Sequence, residues 1–134
     1  MVTAYDADAN SLIGKTAEKL KSMKLESPAF VGLVKTGSHN SRPPEQDDFW
    51  YFRCASILRQ AYMRETIGTR RLARHYGGSK RRGVRPEHRA PSGGSTIRKA
   101  IQQLEGAGLL VKEKTGRKLS AKGRALLDGV AKEL

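Results

Sequence analysis

The C-terminal third of the chain constrains its fold most. Ile97, Ala100, Ile101 and Leu104 recur at i, i+3, i+4 and i+7, which puts them on one face of a helix. Arg98, Lys99, Gln102 and Gln103 are left facing outward. Ser95 or Thr96 is placed to cap that helix, and Gly106 and Gly108 to end it. Residues 109–114 read as a short strand, Thr115-Gly116 as a turn, and Arg117-Lys-Leu119 as the returning strand. Ser120 then caps a last helix with Leu126, Leu127, Val130 and Leu134 inward. Helix, hairpin, helix is the tail of a winged helix-turn-helix.

Upstream, the pattern is also helical. Asp6 or Asp8 caps a first helix with Leu12, Ala17, Leu20 and Met23 on one stripe. Ser27-Pro28 is placed to restart the chain as N-cap and first helical residue, leading into Phe30, Leu33 and Val34. Residues 36–44 are dense in turn formers and read as a loop. Asp47 or Asp48 opens the longest helix, running to about Glu65. Its Trp50, Cys54, Ile57, Leu58 and Ala61 repeat at helical spacing, the mark of a central packing helix. Thr69 caps a short helix over residues 70–76, which Gly77-Gly78 stops. The expected fold is mainly α: a winged-helix-like helical bundle around a central amphipathic helix, with a small C-terminal β-hairpin. At 134 residues the chain reads as one domain, with the winged-helix-like part at about 68–134.

Charge narrows the function. Twenty-six Lys and Arg oppose 13 Asp and Glu, a net +13. Self-repulsion of that size is not offset inside a fold and implies an anionic partner. The excess is local. Residues 64–99 hold 11 basic and 2 acidic side chains, net +9, against +1 for residues 1–63 and +3 for residues 100–134. A solvated surface normally mixes signs, as the first block does; this block is an electrostatic footprint.

The footprint centres on a segment that a DNA reader does not need. A DNA-binding helix-turn-helix joins its helices by about three or four residues. Here residues 77–94 intervene, holding Lys80, Arg81, Arg82, Arg85, His88 and Arg89 against Glu87 alone. This reads as a long basic loop, kept bendable by glycine, restrained by Pro86 and Pro91, and expected to order on binding. Irregular folded RNA accommodates such a loop more readily than a major groove does. Arg98 and Lys99 lie in the first turn of the second helix, where an anion is favoured. Arg117 and Lys118 offer a wing contact at the hairpin. A winged-helix DNA-binding transcriptional regulator is the alternative, and it leaves the long insert unexplained.

Other classes fall away. No apolar run approaches the ~18–20 residues that span a bilayer, and the acidic N-terminus lacks a secretory pattern. The one cysteine, Cys54, fits a reducing cytoplasm and reads as a small buried hydrophobe. His39, His75 and His88 are too scattered for a metal site. No nucleophile–base pair or P-loop stands out, so neither an enzyme, a cofactor nor a small-molecule substrate is expected.

Several motifs together carry a family resemblance. Val34-Lys-Thr-Gly37, Asp48-Phe-Trp-Tyr-Phe-Arg-Cys-Ala-Ser56 and Tyr76-Gly-Gly come first, followed by Gly83-Val-Arg-Pro86, Ser92-Gly-Gly94, Gln103-Leu-Glu105 and Gly116-Arg-Lys-Leu-Ser120. Over nearly its whole length the chain resembles the S-nineteen-e family of small-subunit ribosomal proteins of archaea and eukaryotes. Its acidic N-terminus and its end at Leu134, without a lysine-rich tail, resemble the archaeal members. The resemblance implies binding to ribosomal RNA in the head of the small subunit, beside other head proteins, and a part in subunit maturation. It implies a cytoplasmic protein, monomeric when free. Carried over by residue, it points to Arg53 and Arg59 on the central helix and to Arg70 and Arg71, with Arg74 beside them. It also points to Lys80, Arg81, Arg82, Arg85, Arg89, Arg98 and Lys99. Trp50 matches an aromatic of that family, and core packing is the expected role over base stacking.

Overall fold

A computed structural model describes residues 2–23, 25, 28–30, 33–44, 48–64 and 66–134. Five helices lie among them: α1 (Ala9–Ser22), α2 (Phe49–Met63), α3 (Thr69–His75), α4 (Gly94–Gly106) and α5 (Ala121–Glu133). Two antiparallel hairpins accompany them, β1 (Gly78–Arg82) with β2 (Arg85–Ala90), and β3 (Leu110–Glu113) with β4 (Gly116–Leu119). The architecture is mainly helical, with one hairpin more than the sequence pattern suggests. No helix among the described residues is long and apolar enough to cross a membrane.

The expected central helix is α2. Trp50, Cys54, Ile57, Leu58 and Ala61 are all buried, and α2 packs against α1, α4, α5 and β4. Trp50 is only 1% exposed, so it packs in the core and offers no face for stacking. Around α2 close Leu12 and Leu20 of α1, the Ile97, Ala100, Ile101 and Leu104 stripe of α4, and Leu127 and Val130 of α5. Two caps form as the sequence predicts: the Asp8 carboxylate accepts from Ser11 N, and the Ser120 hydroxyl accepts from Gly123 N.

Other boundaries move. Gly68 and Gly93, not Thr69 and Ser95 or Thr96, are the N-caps of α3 and α4. Gly93 passes so close to the Thr36 carbonyl, to which its N–H donates, that a side chain there would crowd the crossing. α2 follows Asp48 and ends at Met63, short of Glu65; Asp47 and Glu65 lie outside the described residues. Met23 and Leu134, expected inward, are 37% and 49% exposed because each falls at a helix end, beyond the packed turns.

The helix expected from Ser27-Pro28 onward is not formed by the described residues there; Ser27 lies outside them. Leu33 N and Val34 N both donate to the Phe30 carbonyl, and Leu33 is 77% exposed. Between Pro28 and the turn formers from Thr36 the segment is too short to repay helix nucleation. It leads instead to Gly37, which pairs with Ser92.

The larger correction concerns residues 77–94. Most of that segment is the β1–β2 hairpin, in register Gly78↔Ala90, Ser79↔Arg89, Lys80↔His88 and Arg82↔Arg85. Gly83, at φ 73°, opens its two-residue turn. Neither face is buried, so the sequence shows no apolar alternation to reveal it. Its base is anchored by Ser92 N donating to the Ala73 carbonyl at 2.8 Å. Gly77 packs against the Ala90 carbonyl, leaving no room for a Cβ.

Candidate nucleic-acid interface

The basic side chains of α2, α3 and the hairpin base converge on one side of the molecule. Arg53, on α2, stands with its guanidinium carbon 5.1 Å from the Phe49 ring centroid and 4.0 Å from that of Tyr76. The Tyr76 hydroxyl is 2.6 Å from Ser56 Oγ, which fixes the ring back onto α2. Burial pushes the Arg53 guanidinium below its usual pKa, but an arginine stays charged at any working pH. The result is a half-buried, aromatic-braced cation. Arg59, two turns on, is also half-buried, and its Nε has no hydrogen-bond partner among the described residues.

His75 marks where the arginines meet. Its edge packs on the Tyr76 ring at 4.8 Å between centroids. Its pKa is pushed down, first by loss of hydration and then by Arg64, Arg53, Arg89 and Arg59. Four cations, three from α2 and its C-terminal cap and one from β2, therefore act on one imidazole. Among the described residues no carboxylate makes an ion pair with any of them. Like charges held together without counter-charge store repulsion that an arriving anion relieves.

Arg64 and His75 were not among the residues singled out from sequence. Arg64 could have been found: it lies eleven residues after Arg53, about three helical turns, on nearly the same side. No sequence signal distinguishes His75, because its role depends on where α3 docks.

The remaining candidates fall into distinct places. Arg70 and Arg74, one turn apart on α3, line an open groove of about 540 Å³ with Arg89, Ala73, Pro91 and Ser92. Arg89 donates to the Arg74 carbonyl at 2.6 Å, which draws β2 onto α3. Arg71 is exposed on the same helix, and Lys80, Arg81, Arg82 and Arg85 are exposed along the hairpin. Arg81 stands 3.7 Å from Glu87, a loose contact between exposed groups. Arg98 leans on its own helix, 3.4 Å from the Gly94 carbonyl and Ser95 Oγ, and Lys99 is exposed beside it.

Arg98 and Arg117 line a second, smaller cavity with Gly68 and Gln102. Arg117 is already engaged: its Nε donates to Glu105 at 3.1 Å and the pair is about seven-tenths buried. Lys118 lines a third groove, with Tyr5, Tyr62, Arg64 and Arg124. Of the two wing candidates, Lys118 therefore borders the arginine cluster through Arg64, whereas Arg117 is held apart by Glu105.

The molecule is a small, strongly basic, mainly helical protein whose arginine cluster around His75 has no paired carboxylate among the described residues. The sequence profile of the family described as Ribosomal protein S19e matches residues 3–134. The chain is 46% identical over 138 residues to the protein named Small ribosomal subunit protein eS19 from Aeropyrum pernix, covering 100% of this chain and 90% of the relative. It is 41% identical to Small ribosomal subunit protein eS19B of Schizosaccharomyces pombe, over 99% of this chain and 94% of the relative. With the protein of the same name as the first from Thermoplasma volcanium it shares 39% identity, over 100% and 90%. The chain belongs to the ribosomal protein S19e family of the small subunit.

Proposed function

We propose that this chain is a structural, non-catalytic component of the small ribosomal subunit that grips ribosomal RNA in the subunit head. It sits beside other head proteins and assists subunit maturation in the cytoplasm. One observation carries the reading: Arg53, Arg59, Arg64 and Arg89 act together on His75 without a paired carboxylate among the described residues. Arg70, Arg71, Arg74 and the basic hairpin of Lys80, Arg81, Arg82 and Arg85 extend that surface. Guanidinium forks suit bidentate phosphate contacts from more than one RNA segment. Lys118 extends that surface beside Arg64, and Arg98 and Lys99 serve as outlying phosphate contacts.

Supporting the winged-helix reading of residues 68–134, within a single domain, is the order of elements. Ile67 pairs with Arg117 across two 2.8 Å hydrogen bonds, adding a third segment beside the β3–β4 hairpin. The chain then runs α3, the inserted β1–β2 hairpin, α4, the β3–β4 hairpin and α5. The family and its relatives give no support to a DNA-binding regulator. Free of the ribosome the chain is expected to be a monomer.

The test is sedimentation of cell extract with the tagged protein. Wild type should travel with small subunits, and the double reversal Arg81→Glu, Arg82→Glu should remain in the free fraction. Binding to small-subunit RNA in vitro should lose on the order of a thousandfold between low and moderate salt if roughly 6–10 phosphates are neutralised. A free pool on chromosomal DNA, or normal incorporation of the double reversal, overturns the assignment.

A further inference from the structure

Phosphate contact alone does not account for the groove beside α3. Phosphates need donors in water, whereas the wall here is mostly apolar, formed by Ala73 on α3 and Pro91 after β2. Arg70, Arg74 and Arg89 rim it. Ser92, 7% exposed, lies at its edge with a buried hydroxyl that has no partner among the described residues.

The groove is also preformed. Ser92 N donates to the Ala73 carbonyl at 2.8 Å across its floor, and Arg89 is held on the Arg74 carbonyl at 2.6 Å. Its volume of about 540 Å³ lies within the ~300–1,000 Å³ usual for small-molecule sites. An apolar wall between cations matches one chemical class closely: a flat aromatic ring carrying an anion on either side. A guanidinium plane stacks on such a ring, and its edge bonds the flanking phosphates.

We infer that this groove takes one unstacked nucleotide of the bound RNA. The base lies on Ala73 and Pro91 against the guanidinium faces. Its neighbouring phosphates lie on Arg70, Arg74 and Arg89. The inference rests on the RNA-binding reading above and deepens it, from phosphate neutralisation to capture of a base.

Two RNA hairpins of identical stem serve as probes with the full-length protein. One carries a single bulged adenosine; the other carries an abasic sugar at the same bulge, so both present the same number of phosphates. The adenosine hairpin should bind roughly five- to a hundredfold more tightly, the range that one stacked base confers. Ala73→Leu fills the groove and should abolish that preference while leaving affinity for the abasic hairpin and its salt dependence unchanged. Pro91→Ser, at an exposed position, should reduce the preference several-fold and decides the matter if Ala73→Leu does not fold. Equal, strongly salt-dependent binding of both hairpins overturns the groove inference and leaves the phosphate reading intact. A base preference that survives both substitutions places the base elsewhere and also overturns it. Weak, salt-insensitive binding to both hairpins overturns the RNA reading itself.

Discussion

The guanidinium carbon of Arg53 lies 4.0 Å from the centre of the Tyr76 ring, so a cation on α2 holds the residue that ends α3. Such a contact is worth about 0.5–2 kcal/mol, more when shielded from water. Arg53→Lys keeps the charge but loses the planar stack. It should lower stability in urea by about 1 kcal/mol and weaken RNA binding several-fold. Tyr76→Leu should weaken binding comparably although it removes no charge, while Tyr76→Phe should bind nearly as wild type. Wild-type affinity in Tyr76→Leu would show that the ring does not position the arginine.

His75 should make RNA binding pH-dependent. Its folded pKa is held below the ordinary value of about 6.5, so on acidification through that value the unfolded chain protonates first. The stability contribution of His75 is therefore full above the unfolded pKa and declines as pH falls toward the lower folded one. Phosphates arriving beside Arg53, Arg59, Arg64 and Arg89 should raise that pKa and draw in a proton. Calorimetry in two buffers of different ionisation heat should register proton uptake near pH 6. The uptake should vanish in His75→Gln.

Arg117 and Lys118 should separate stability from affinity. Arg117 is tied to Glu105 in a pair mostly shielded from water, whereas its neighbour Lys118 is exposed. Arg117→Ala should cost about 1 kcal/mol in denaturant unfolding and change RNA affinity little. Lys118→Ala should do the reverse, with unchanged stability and a smaller salt slope.

Two glycines should respond oppositely to alanine. Gly116 sits at φ 150°, and a Cβ there would run into the Ile67 carbonyl, which pairs with Arg117. Gly116→Ala should destabilise by about 1–3 kcal/mol. Gly129, exposed on α5 with open space around a built Cβ, should gain about 0.5–1 kcal/mol as alanine. Thermal melts of both variants provide the comparison.

Cys54 is wholly buried on α2, and burial pushes its thiol up to about 12. It should resist an aromatic disulfide reagent at pH 8 in the folded protein and react at once in denaturant. Fast labelling of the native chain would mean that α2 opens readily.

Much of the frame was legible in sequence. Leu12 and Leu20, Cys54 and Leu58, Ile97 and Leu104, Leu127 and Val130 recur at helical spacing because one side of each helix must leave water. Their burial follows from that period. Asp8 and Ser120 signal helix starts by supplying an oxygen to backbone N–H groups, a local effect. Phe30, Leu33 and Val34 misled, since an apolar run of that length does not say whether anything covers it.

The basic face was legible only as composition. The excess of charge over residues 64–99 is a property of the chain, and the sequence alone points to a polyanion. That residues 78–90 form a hairpin is not visible there, because both its faces meet solvent and its backbone pairing leaves no mark on side-chain pattern. That Arg53, Arg59, Arg64 and Arg89 gather at His75 was decided only by tertiary structure. Charge adds along a chain, but the repulsion that invites an anion depends on distances in space, and these exist only once α2, α3 and the hairpin base are packed.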